Sequence, residues 1–277
     1  MFGPATRQIT CRNSLEATGS DLDGDRAEVR ACHDDVTGLA AGVDSGPCDH
    51  EQVVRSRLLI LVTGCVPGAG KSSLAASLAT ALEGGGTRVE LFREEDIRSH
   101  PAFSLVMSEF DAAGEVRLET LIASAADYLR SARERRTDVF VLDALFPYLP
   151  SLLAWGYAGD EIADFFTRLA ALFDGFVVVE LHVVADARNA LTRATEREGG
   201  DWLKNHTSKV SRFRTAGQVL SSDDVVAYYE DATARSQAVL TRAPWPVERI
   251  CADDGPASAH ATAMAVVVAR SMLGDQS

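Results

Sequence analysis

The 277-residue sequence predicts an α/β fold built on a mainly parallel sheet, and three observations carry that reading. Short apolar runs alternate with longer helical stretches from Arg57 to near the carboxyl end. These runs are rich in β-branched and aromatic residues, as buried parallel strands are. The first of them, Leu58-Leu59-Ile60-Leu61-Val62, passes through a glycine-rich turn directly into Leu74-Ala75-Ala76-Ser77-Leu78. Repeated alternation of this kind implies right-handed crossovers. Ligand sites then lie at the carboxyl ends of the strands.

The elements follow in order. Residues 1–56 carry Gly, Ser, Asp and Thr without periodicity or a sustained apolar cluster, and are expected to be a disordered or weakly structured extension. Strands are expected at 57–63, 87–92, 138–143, 175–184 and 246–251. Helices are expected at 71–83, 102–112, 115–134, 158–173, 186–198, 200–214, 222–242 and 257–273. The apolar positions Val116, Leu118, Leu121, Ile122, Ala125, Tyr128 and Leu129 recur near every 3.6 residues and typify these helices. No internal repeat is evident. Residues 57–277 therefore read as one domain, with a helical lid at roughly 193–215.

Composition narrows the function. An apolar fraction of 46% is ordinary for a soluble globular chain. No apolar run approaches the length that spans a bilayer, and no basic stretch followed by an apolar core opens the sequence. The five cysteines (11, 32, 48, 65 and 251) show no metal or disulfide spacing, which suits a reducing cytoplasm. A net charge of −13 argues against general binding to nucleic acid, which needs clustered Lys and Arg. No membrane partner is expected, and the oligomeric state is left open.

The turn after the first strand reads Cys65-Val66-Pro67-Gly68-Ala69-Gly70-Lys71-Ser72-Ser73. Strand, glycine-rich turn and helix form the context in which such a pattern cradles phosphate. Backbone N–H groups of the turn point at phosphate oxygens, and the helix N-terminus adds partial positive charge. Lys71 is expected to reach the β- and γ-phosphates and Ser72 to ligate Mg²⁺. One letter departs from the usual pattern, which opens on Gly: that position is Cys65, with Gly64 one residue early.

Further candidates lie at later strand ends. Val139-Phe140-Val141-Leu142-Asp143 is an apolar strand that ends in a carboxylate, where an acid meets Mg²⁺ directly or through water. Glu180 competes for that role, but it lies inside its apolar run. After the second strand come Arg93-Glu94-Glu95-Asp96, then His100-Pro101. A transfer to a hydroxyl benefits from a carboxylate that accepts the proton, and any of the three acids qualifies by position. Glu94 and Asp96 lead, since both face one side of an extended chain. Arg193 and Arg197 share a helix face and are followed by Lys204, Lys209, Arg212 and Arg214. Arg neutralises the charge that phosphoryl transfer spreads over the equatorial oxygens. Trp202 fits packing better than stacking on a ligand. Phe146, Tyr148, Trp155 and Tyr157 lie in a proline-rich loop after Asp143 and either line an acceptor pocket or join the core.

With these residues in view, the chain resembles the phosphate-loop kinases of the nucleoside and nucleotide type, within the wider P-loop NTPase superfamily. The resemblance spans residues 57–273 and rests most specifically on Gly68-Ala69-Gly70-Lys71-Ser72. It implies a three-layer α/β/α fold, a five-stranded parallel sheet of order 2-3-1-4-5, Mg-ATP as donor, and a small acceptor under a lid. It carries Lys71 and Ser72 into the donor site, with Asp143 at the metal, Glu94 or Asp96 at the acceptor, and Arg193 with Arg197 over the transferring group. The expected activity is ATP-dependent transfer of a γ-phosphoryl group to a small molecule, a nucleotide, nucleoside or natural product. The rival readings are an ATPase or nucleotide-binding regulatory protein without a small acceptor, and a degenerate nucleotide binder. No guanine-specifying Asn-Lys-x-Asp run occurs, which favours ATP over GTP.

Overall fold

The structure, a computed structural model, describes residues 57–217 and 219–274, so the expectation for residues 1–56 lies outside the described residues. Five parallel strands form one sheet: β1 (Arg57–Thr63), β2 (Val89–Phe92), β3 (Val139–Asp143), β4 (Phe176–Val184) and β5 (Val247–Cys251). Their order is β2-β3-β1-β4-β5, as the resemblance implied. The helices are α1 (Lys71–Gly84), α2 (Ser104–Ala113), α3 (Leu118–Glu134), α4 (Leu149–Ala154), α5 (Gly159–Ala170), α6 (Ala187–Glu198), α7 (Trp202–Val210), α8 (Ser222–Leu240) and α9 (Pro256–Gly274).

The central strand explains the layering. From Leu58 onward, every residue of β1 is buried. Successive side chains point to opposite faces of a strand. Leu58, Ile60 and Val62 accordingly pack with α1, α6 and α9 in one core. Leu59 and Leu61 pack with α3 and α5 in the other. Helix α8 contributes to both, through Val225 and Tyr229 at one end and Val239 and Leu240 at the other. Burying both faces leaves only the strand ends available for chemistry.

Local chemistry moves some boundaries from the expected ones. The expected helix at 102–112 begins as a 3₁₀ turn at Pro101–Phe103, where the His100 Nδ1 accepts from the Ala102 N–H at 3.2 Å. Helix α3 starts at Leu118, not 115, because Glu109 of α2 takes the Arg117 N–H at 3.1 Å. The proline-rich segment after β3 holds α4, which the sequence reading treated as loop. Proline is well suited to a first helical turn, and Pro150 occupies one here. Among the described residues, no helix is long and apolar enough to cross a membrane.

Candidate active site

Register brings three strand ends level. Val62 of β1 pairs with Asp143 of β3, and Leu142 of β3 pairs with Phe92 of β2. The loops that follow β1, β2 and β3 therefore open at one edge. The glycine-rich turn connects β1 to α1 there. No side chain caps α1 at Gly70, so its first-turn N–H groups remain available to an anion.

Two glycines fix the path of the turn. Gly68 has φ of +76°, and a Cβ there would lie 2.0 Å from the Ala190 carbonyl oxygen of α6. Gly64 has φ of +148°, and a Cβ there would lie 2.4 Å from the Val183 carbonyl oxygen of β4. The close approach thus belongs to Gly64, and the next residue need not be glycine. Cys65 is buried, with its Sγ 3.7 Å from the Ala232 carbonyl oxygen of α8. Burial pushes its thiol pKa up and keeps it protonated. The unusual letter is a small core residue beneath the turn.

Lys71 opens α1 and curls back over the turn, its Nζ donating to the Val66 carbonyl oxygen at 3.1 Å. Burial lowers its pKa, opposed chiefly by Glu94 and more weakly by Cys65 and Asp143, while Arg197 adds to the lowering. Residues from four separate segments therefore act on one ammonium. Asp143 is buried, and burial raises its pKa against a hydrogen bond from Ser72 and the charge of Lys71. Its Oδ1 has no hydrogen-bond partner among the described residues. A partnerless buried carboxylate oxygen beside a serine hydroxyl is a hard, oxygen-only donor set, which fits Mg²⁺. Among the described residues, no group of three or more His, Cys, Asp or Glu forms a cage of its own. Mg²⁺ in phosphoryl-transfer sites is held by one or two protein oxygens plus phosphate, so such a cage is not needed.

The remaining candidates separate. Glu94 is exposed and acts electrostatically on both Lys71 and Asp143. Asp96 turns inward to its own 3₁₀ helix (Glu94–Arg98), where its Oδ2 accepts from the Arg93 N–H at 2.8 Å. Glu95 is exposed, 3.7 Å from Arg93. Arg193 donates from Nε to the Gly68 carbonyl oxygen at 3.1 Å and lies 3.9 Å from Asp253. Both Arg193 and Arg197 project from α6, whose other face is buried through Ala187, Ala190, Leu191 and Ala194. The tail of the expected lid lies over the loop that ends α4: the Arg214 N–H donates to the Ala154 oxygen at 3.0 Å, and its guanidinium meets Glu115 at 2.8 Å.

The aromatic candidates are mostly packing. Phe146 is fully buried among Tyr128, Tyr148 and Phe173, and Tyr148 is nearly so. Trp155 and Tyr157 are half-buried. Trp202 stacks on His206 with ring centroids 4.5 Å apart, and His206 Nε2 meets the Tyr229 hydroxyl at 2.8 Å, so both hold α7 to α8. Glu180, the rival to Asp143, is fully buried beneath the turn with Thr63 and Trp245 as partners. The sequence reading passed over His182, Ser236 and Asp253. Of these only His182 left a signal, an imidazole two residues after Glu180 in a strand whose other residues are apolar.

Comparison with known proteins adds a relative. The thymidylate kinase of Xanthomonas euvesicatoria pv. vesicatoria is 29% identical over 217 residues, covering 73% of this chain and 88% of that protein. The chain has a P-loop nucleotide-kinase-like fold. No family model matches the sequence. The crystal structure of thymidylate kinase from Ehrlichia chaffeensis aligns with a TM-score of 0.46 at 13% identity, over 76% of this chain and 98% of that one.

Proposed function

We propose that this P-loop protein is an ATP-dependent nucleotide kinase that moves the γ-phosphoryl group of ATP to a nucleoside monophosphate. The observation that carries the reading is the convergence of Lys71, Ser72, Asp143 and Glu94 at one sheet edge, with an unpartnered Asp143 oxygen beside Ser72. The thymidylate kinase relative supports a nucleotide acceptor and makes thymidylate the first to test.

In this reading the turn N–H groups from Val66 to Ser73 hold the donor phosphates. Lys71 exchanges its Val66 carbonyl for phosphate oxygens and follows the migrating group. Ser72 and Asp143 would hold Mg²⁺, which would supply positive charge against the transferring phosphoryl group. Glu94 orients the acceptor and takes up its proton where the acceptor carries one. Arg197, paired with its neighbour Glu198 at 2.8 Å and otherwise exposed, would turn from that partner to the transferring group. Arg193 steadies the turn through Gly68. Asp96 shapes the loop that presents Glu94. Segment 199–215 is the part of the lid that closes over the acceptor and excludes water. A cytoplasmic location, with no nucleic-acid or membrane partner, fits the net charge of −13 and the cysteines Cys65 and Cys251, which form no disulfide.

A thermal-shift series tests the acceptor class. With Mg²⁺ and a non-hydrolysable ATP analogue present, thymidylate or another nucleoside monophosphate should raise the melting temperature further, by mass action. A series in which no nucleotide adds to the effect of the analogue contradicts the reading.

A further inference from the structure

We propose that Thr63, Glu180 and His182 form a positioning lock under the phosphate loop, which holds its first turn in the shape that receives ATP. The proposal rests on the kinase reading above, and none of these three residues touches the reacting atoms.

The lock starts at the last residue of β1. Thr63 Oγ1 donates to Glu180 Oε1 at 2.6 Å. Its single proton is thereby committed, so its contact of 2.9 Å with His182 Nδ1 makes the imidazole the donor. His182 Nε2 is then an acceptor and faces the Ser236 hydroxyl of α8 at 3.4 Å. Glu180 Oε2 accepts from Trp245 Nε1 at 2.8 Å. All five residues are buried. Burial keeps the imidazole neutral, and the positive charges of Lys71 and Arg249 add to the effect.

The circuit returns to the loop. The Cys65 thiol donates to the Ala232 carbonyl oxygen of α8 at 3.7 Å, one helical turn before Ser236. Thr63 is thus tied to Glu180 and His182, Gly64 is pressed against Val183, and Cys65 is tied to Ala232. Three successive residues at the root of the loop are each fixed by β4 or α8. Buried polar groups are costly unless every member is satisfied. Apolar residues occupy the rest of β4 from Phe176 to Val184, so the sheet itself does not call for a glutamate and a histidine. They sit only where the strand passes under the loop. A loop held this way is preorganised, and ATP does not have to order it on binding.

Two substitutions at Thr63 separate positioning from bulk packing. Thr63→Val keeps the shape and removes both side-chain bonds, whereas Thr63→Ser keeps the hydroxyl. ATP affinity is measured calorimetrically with Mg²⁺ on the full chain, alongside kcat and the acceptor KM. Thr63→Val should bind ATP about 10-fold more weakly, the worth of one buried hydrogen bond, with the acceptor KM unchanged. Thr63→Ser should restore binding to within about 3-fold of the parent. ATP affinity equal to the parent in Thr63→Val, or equal impairment in both variants, overturns the proposal. If Thr63→Val does not fold, Ser236→Ala breaks only the outer link and should weaken ATP about 3-fold, and unchanged affinity there overturns it as well. ATP binding is read without an acceptor. A parent protein that binds ATP but phosphorylates no nucleotide therefore refutes the kinase reading and leaves this test standing.

Discussion

At the donor end of the cleft, Cys65 to Ser73 run consecutively between one strand and one helix, and the shape of the turn comes from backbone. At the proposed acceptor end, Glu94 and the neighbouring group of Glu115, Tyr157 and Arg214 come from separate segments, and side chains provide the shape. The donor end is held from below by β4 and α8. The acceptor end is held by exposed contacts such as Arg214 with Glu115, whose side chains are 66% and 40% exposed. Exposed ion pairs contribute little to stability, so this end can rearrange at small cost. The difference matches the tasks. In the kinase reading every donor presents the same triphosphate, whereas acceptor choice would depend on a lid that opens and closes.

The largest expected effect lies at the donor end. Lys71→Ala should lower kcat by about 10³-fold while circular dichroism shows the fold unchanged. Near-normal turnover in the purified variant would remove the donor end from the mechanism.

A pair of neighbours sharpens the acceptor end. Glu94→Gln should lower kcat by about 10²-fold with little change in stability. Asp96→Asn should leave kcat within about 3-fold and destabilise by about 1 kcal/mol, since its carboxylate caps a backbone N–H. Steady-state kinetics and urea unfolding read the two effects separately. The reverse pattern would transfer the acceptor role to Asp96.

The smallest effect concerns the buried lock, through the dependence of stability on pH. Burial raises the Glu180 carboxyl from 4.5 to about 7. Between those values the native chain holds a proton that the unfolded chain has lost, so Glu180 makes stability fall as pH rises. His182 acts oppositely. Its pKa is lowered from 6.5 to about 4, the unfolded chain binds the proton, and stability rises with pH over that interval. Glu180→Gln deletes the falling contribution. Urea unfolding between pH 5 and 6.5 should show a slope more positive than the parent's by about 1.4 kcal/mol per pH unit, the value of one proton. Superimposable profiles would mean that Glu180 titrates alike folded and unfolded.

The two ends also differ in how far sequence foretells them. A contiguous motif between an apolar run and a helix names its own candidate site, so Lys71 and Ser72 stand out in the sequence, and the family resemblance implies the strand order that the sheet has. Asp143 could be preferred over Glu180 because one ends its apolar run and the other interrupts it. The roles of Glu94 and Asp96 were not separable, because a 3₁₀ turn replaced the extended chain on which their equivalence rested. Arg193 illustrates the same limit: its Gly68 partner is 125 residues away, and only the packing of α6 on the turn brings them together. Helix α4 was missed because its prolines read as loop. The lock was missed because Glu180 was considered only as a metal ligand and His182 not at all.

Transfer of label tests the central claim most directly. ATP labelled in its γ-phosphoryl group is incubated with Mg²⁺, the parent protein and a panel of nucleoside monophosphates, thymidylate among them. The label should appear in a nucleoside diphosphate in the presence of one acceptor class and in little inorganic phosphate. Label released only as inorganic phosphate, at a rate no nucleotide changes, would contradict a kinase and leave an ATPase.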